Sequence, residues 1–136
     1  MDADALTIAG TTMAWDARAR LFWASYAPNA RPRGPDARVM QEWMDARTGS
    51  EPFTMLVDLE NADKVAIAWR FQWMSWFLAH RERLRVALVN TKGVDPVTIK
   101  AFVLATRSRM RICSTAEEAR AWLAVDDAAP AAPERI

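Results

Sequence analysis

The side chains of this chain that could do chemistry are few and far apart. The 136 residues include one histidine, His80, and one cysteine, Cys113. A thiolate or imidazole metal cluster needs several such ligands, and a general base needs a nucleophile or a substrate proton within reach. The neighbouring carboxylates Glu117 and Glu118 open a predicted helix, where negative charge favours the helix dipole. The sequence therefore predicts no metal, no cofactor and no catalytic site.

Polar and charged residues follow the predicted strands and could form a binding site together. In a parallel sheet the loops after the strands gather on one rim, where ligands usually bind. Helix N-termini on that rim can hold an anion. The alternative is that these loops are simply polar, since Gly93 stands alone and no glycine-rich phosphate loop is present. The rim candidates are Arg31, Arg33, Asn61, Asp63, Lys64, Thr91 and Lys92, with Asp95 and Ser114 beside them.

The helix predicted around residues 64–83 carries two apolar stripes on a wheel of 100° per residue. One stripe contains Ile67, Phe71, Met74 and Leu78. The other, here called the tryptophan stripe, contains Trp69, Trp73, Trp76 and Phe77, with His80 beside it. A helix with a sheet on one side and solvent on the other needs only one apolar stripe. The second stripe must therefore pack against another part of the protein or against a partner.

Two interpretations of the tryptophan stripe remain open. Neighbouring helices could cover it, which makes it part of a large core. It could also be an exposed patch that binds a protein partner, a second copy of the chain or an apolar ligand, because tryptophan is enriched at binding hot spots and large exposed apolar patches mark binding sites. We interpret His80 as a polar residue near a helix end and Cys113 as a packed residue.

The predicted strands and helices, taken in chain order, indicate an α/β fold. Residues 11–26 read as a β-hairpin, and a proline- and glycine-broken loop precedes a helix over about 35–47. Three strand–helix units follow, with strands at 53–59, 84–89 and 110–113. Strands that alternate with helices predict a mostly parallel sheet, here a mixed sheet of five strands with about four helices. The run Leu84–Val89, apolar apart from Arg85, should be an interior strand.

Length and composition suit one soluble domain over residues 1–125. An apolar fraction of 51% suffices for a core. A net charge of +1 gives no pull toward nucleic acid. The lone cysteine favours a reducing, cytoplasmic location, and no apolar run is long enough to insert into a membrane. Residues 126–136 are rich in alanine and proline and predict a disordered tail.

The element order resembles that of the STAS-like, or SpoIIAA-like, family, named for the sulfate-transporter and anti-sigma-factor-antagonist domain. The resemblance covers about residues 7–125. It is carried by the order itself, by Leu56–Glu60, and by the segment 115–123, which opens with a threonine cap and a glutamate three residues on. The resemblance implies a bacterial regulatory module. Because the SpoIIAA-like family is grouped with lipid-binding proteins of related fold, it also implies an apolar ligand as an alternative.

The family's regulatory members carry a phosphorylatable serine or threonine in the loop after the strand that ends here at Leu59. In this chain the loop Glu60–Ala66 has no hydroxyl residue. No phosphate ester can form there, which argues against an anti-sigma partner switch. The sequence therefore predicts a non-catalytic interaction module, with an apolar-ligand or lipid carrier as the alternative and the partner switch as a third function.

Overall fold

The computed structural model describes residues 4–62 and 66–125. Six strands form one sheet in chain order, and four helices pack on it. The strands are β1 (Asp4–Ile8), β2 (Thr11–Asp16), β3 (Leu21–Tyr26), β4 (Phe53–Asp58), β5 (Leu84–Val89) and β6 (Arg109–Ile112). The helices are α1 (Gly34–Thr48), α2 (Ile67–His80), α3 (Pro96–Thr106) and α4 (Ala116–Leu123).

The predicted α/β class is confirmed, with a larger sheet than expected. Strands β1, β2 and β3 form an antiparallel meander, and β3 to β6 are all parallel. The prediction of five strands was wrong because it omitted β1. Residues Ala9 and Gly10 connect β1 to β2 and both have positive φ, 51° and 85°, as a type I′ hairpin turn requires. Alanine in such a turn is uncommon, so Ala9–Gly10 lacks the residue pair that usually marks a hairpin.

The helices are divided unequally between the two faces of the sheet. Helices α1, α2 and α3 cover one face, where they share a core with alternate residues of β2 to β6. Helix α4 alone covers the other face, over β4 and β5. All six residues of β5 are buried, and β5 lies between β4 and β6, so the prediction of an interior strand is confirmed.

Side-chain hydrogen bonds hold helix α4 at both of its ends. Thr115 caps its first turn, and its Oγ1 accepts a hydrogen bond from the backbone N–H of Glu118 at 3.0 Å. At the other end, Arg85 of β5 donates to the carbonyls of Trp122 and Val125, both at 2.9 Å. Its guanidinium also lies 4.3 Å from the centre of the Trp122 ring. The one charged residue in β5 thus binds the carbonyls that end α4.

Candidate functional site

Helix α2 turns the tryptophan stripe toward the sheet and the other stripe toward solvent. Trp73 is 7% exposed, whereas Phe71, two residues earlier, is 62% exposed. The structure shows that the tryptophan stripe is buried, which is the first of the two interpretations. A helical wheel could not predict which stripe faces the sheet, because both stripes are apolar. The larger aromatic surface is the one that the fold removes from water.

The tryptophan stripe divides into two groups with different neighbours. Trp76 and His80 join α2 to α1. The Trp76 Nε1–H donates to Oδ1 of Asp45 at 3.0 Å, and His80 Nε2 lies 3.1 Å from the same oxygen. The His80 ring also stacks on Trp76, with ring centres 4.2 Å apart. These contacts give His80 a structural role at the helix end.

The other three stripe residues form the roof of a cavity between the helices and the sheet. Trp69, Trp73 and Phe77 line it from α2, and Ile99 and Phe102 line it from α3. Its floor is the sheet, which contributes Met13, Ala24, Met55, Val57, Leu88 and Met110. The cavity has a volume of about 140 Å³, is partly open to solvent and is lined mainly by apolar side chains. Apolar cavities with a few polar groups are the usual form of small-molecule sites.

Polar side chains meet the cavity where β2 begins and β3 ends. Thr11 and Tyr26 are direct cross-strand partners, so their side chains share one face of the sheet. The Trp69 Nε1–H donates to the Tyr26 hydroxyl oxygen at 3.2 Å. Arg70, in the first turn of α2, also lines the cavity. Burial raises the pKa of Tyr26, while the Trp69 hydrogen bond and the Arg70 charge act in the opposite direction, so the phenol stays neutral at physiological pH.

The rim candidates that the structure describes are not among the residues that line the cavity. The Asn61 side chain donates to the backbone carbonyl of Tyr26 at 3.2 Å and thus joins the loop after β4 to the end of β3. Arg33 begins α1, where its backbone N–H donates to Asp36, and the Arg31 side chain donates to the carbonyl of Ala30. None of these rim residues lines the cavity.

Two of the remaining rim candidates lie in a turn after β5, and two lie outside the residues that the structure describes. Thr91 and Lys92 lie in a short 3₁₀ turn after β5, and neither is among the residues that line the cavity, although the following Val94 is. Asp63 and Lys64 lie outside the described residues, as does the predicted tail 126–136. Cys113 is buried on the face of the sheet that α4 covers, whereas the tryptophan stripe packs on the opposite face.

Sequence reasoning missed Thr11, Tyr26 and Arg70. Each lies within a predicted strand or helix, whereas the polar rim candidates lie in the segments that follow the predicted strands. One signal could have found them. In a hairpin over 11–26 the first and last residues are opposite each other, so Thr11 and Tyr26 form a polar pair at one end of an otherwise apolar face.

The residues that face away from the sheet on α2 and α3 are also apolar. We call Ile67, Phe71, Leu78, Val97 and Leu104 the outer apolar surface; all five are exposed, Leu104 to 74%. Helices α2 and α3 are neighbours on the sheet, and neither contains an aspartate or glutamate. The outward side of α1 is more polar, with Val39 its exposed large apolar side chain. An exposed apolar surface of this kind is a candidate contact surface.

In the part of the chain that the structure describes, no three histidine, cysteine or acidic residues are grouped to hold a metal ion. No helix among the same residues has the length and hydropathy that crossing a bilayer requires. The chain matches no family model, no curated protein and no solved structure. The STAS-like resemblance therefore remains a prediction that rests on the order of elements.

Proposed function

We propose that the protein is a non-catalytic binding protein that holds a small apolar molecule between its sheet and helices α2 and α3. The cavity beneath Trp69 and Trp73 is the observation that supports this function. Natural cores are packed to a density that leaves few voids larger than a water molecule. An apolar void of about 140 Å³ leaves its lining side chains without contacts that an occupant would supply.

The volume of the cavity limits the size of the occupant. An engineered apolar cavity of about 150 Å³ stays dry and takes up benzene, and the cavity here has about 140 Å³. The ligand we propose is therefore the size of one ring or a short branched chain. Within the apolar-ligand alternative, this favours a small molecule over a lipid with two long chains. The lone, buried Cys113 fits a reducing, cytoplasmic setting.

Toluene is a suitable first probe because it is ring-sized and has no polar group. We expect saturating toluene to raise the melting temperature of the protein by mass action and to change the tryptophan fluorescence, since Trp69 and Trp73 line the cavity. The variant Ala24→Leu should lose both responses, because Ala24 lies on the cavity floor and the larger side chain would occupy it.

Ala46→Leu is the matched control for this experiment. Ala46 is exposed on α1, so the same increase in side-chain size there should leave toluene uptake unchanged. Toluene that binds neither protein, or binds the Ala24→Leu variant as well as the wild type, would contradict the proposed function.

A protein-interaction module is the second candidate function, and the outer apolar surface supports it. Its contact residues would be on the outward side of α2 and α3 rather than in the tryptophan stripe, which is buried. A second copy of the chain is the partner that can be tested directly, because two-fold dimers are the commonest assemblies. The anti-sigma partner switch stays a third candidate, weakened by the lack of a hydroxyl residue in Glu60–Ala66.

Light scattering tests the second candidate. If the outer apolar surface joins two copies, the double variant Phe71→Ser, Leu104→Ser should reduce the molar mass by about half with little change in melting temperature, since both side chains are exposed. Val39→Ser, an equally drastic change at an exposed position on α1, should leave the mass unchanged. A wild-type protein that is monomeric at every concentration tested would exclude self-association through this surface.

A further inference from the structure

Two polar side-chain groups at the cavity have no hydrogen-bond partner in the part of the chain that the structure describes. Thr11 is 1% exposed, and its Oγ1 has no hydrogen-bond partner among the described residues. The Trp73 Nε1–H is also buried and unpartnered in that part of the chain. Both residues line the cavity. Buried polar groups in native proteins are almost always paired, and leaving one unpaired is costly. Two such groups at one cavity indicate a partner that the chain itself does not supply.

Tyr26 adds a third donor at the same end of the cavity. Its hydroxyl oxygen accepts from Trp69 Nε1, which leaves its own hydrogen free to donate, and no acceptor for it is found within residues 4–62 and 66–125. Because burial keeps this phenol neutral, the hydrogen is present at physiological pH. Thr11 and Tyr26 are cross-strand partners, so both hydroxyl-bearing side chains lie on the face of the sheet that lines the cavity.

Arg70 supplies positive charge to the same region. It lines the cavity, it is half-buried, and its charge acts on the Tyr26 hydroxyl. Among the described residues its guanidinium has no ion pair. In the described part of the chain, no aspartate or glutamate lines the cavity. The described lining therefore has a cation and several groups that can donate hydrogen bonds, and no anion.

We propose that the ligand is a small monocarboxylic acid with a ring-sized apolar body, bound as its carboxylate. The apolar body would lie between the sheet and helices α2 and α3. The carboxylate oxygens would accept from Thr11, Tyr26, the Trp73 Nε1–H and the Arg70 guanidinium. An Arg–carboxylate contact is charge-assisted and can be bidentate. This inference rests on the proposed function, because it assigns the head group of the molecule that the cavity holds.

Three probes of equal body size separate the head group from the cavity. Toluene has no head group, benzoate has a carboxylate, and benzylamine has a cation. We expect the wild-type protein to bind benzoate about tenfold or more tightly than benzylamine, as a charge-assisted hydrogen bond predicts. Titration followed by calorimetry or by the fluorescence of Trp69 and Trp73 measures all three affinities.

Two variants test the residues named. Arg70→Gln should weaken benzoate binding by about tenfold or more and leave toluene binding unchanged. Tyr26→Phe should weaken benzoate binding by a smaller factor, since one neutral donor is lost. Lys100→Gln is the matched control, because Lys100 is an exposed cation on α3 outside the cavity lining, and it should change neither affinity.

The toluene measurement distinguishes failure of this inference from failure of the proposed function. If toluene binds and benzoate binds no more tightly than benzylamine, the carboxylate assignment is overturned while the apolar-ligand function stands. An Arg70→Gln variant that loses toluene and benzoate binding equally would overturn the role given to Arg70. If no probe binds the wild-type protein, both proposals fail.

Discussion

Replacing Trp73 with alanine is expected to lower the free energy of unfolding by about 3–5 kcal/mol, the usual cost of removing a buried aromatic side chain. Trp73 is 7% exposed and packs edge to face with Trp69, Trp76 and Phe77, at ring-centre distances of 5.6, 5.4 and 6.1 Å. Its removal would enlarge a cavity that already lies beneath it. Chemical denaturation measures the loss as a lower midpoint at an unchanged slope.

Phe71→Ala is the matched control on the same helix. Phe71 is 62% exposed, so its truncation should change stability by less than about 0.5 kcal/mol. Light scattering on the Trp73→Ala variant completes the experiment. A variant that keeps its stability but loses self-association would show that Trp73 lies in an interface and that the buried position is wrong.

Gly10→Ala is expected to cost about 2–5 kcal/mol, from two separate causes. Gly10 has φ of +85°, where an L-residue is strained by about 1–2 kcal/mol. A Cβ at this position would also lie 2.7 Å from the Ala30 Cα, and overpacking a tight contact typically costs about 1–3 kcal/mol. Ala30 is held nearby because the N–H of Ala27 donates to the Gly10 carbonyl at 2.8 Å.

Gly49→Ala separates the two causes. Gly49 also has positive φ, +60°, but a Cβ there would meet no atom within 4 Å. Its replacement should therefore cost only the backbone strain at φ +60° and ψ −136°, about 1–3 kcal/mol. Equal losses of stability in the two variants, measured by thermal or denaturant unfolding, would show that the close approach of Ala30 to Gly10 is unimportant.

The sequence predicted the elements well where each had a local signal. The strand Leu84–Val89 is an apolar run, and the cap at Thr115 sits three residues before a glutamate; both predictions are confirmed. Strand β1 was missed because its residues are mostly exposed and its Ala9–Gly10 turn lacks the asparagine or aspartate that usually marks a type I′ turn.

The candidate site was less predictable because it depends on how elements face each other. Two apolar stripes on α2 left its orientation undetermined, and only packing on the sheet shows that the side with Trp73 is buried and the side with Phe71 is exposed. A cavity is the space that side chains from seven helices and strands leave unfilled, so no single segment encodes it. Thr11 and Tyr26 are fifteen positions apart and meet only through the register of β2 and β3.

The order of the sheet has a consequence for how the chain folds. Each strand pairs with the strand next to it in the sequence, so no strand has to insert between two that are already paired. Each connection is a hairpin turn or a crossover that contains one α-helix, so the pairing is as local as a largely parallel sheet allows. Strands can therefore be added one at a time as the chain emerges from the ribosome. Ile99 and Met110 line the cavity, so the cavity is complete only when α3 and β6 have joined, and ligand uptake would report the end of folding.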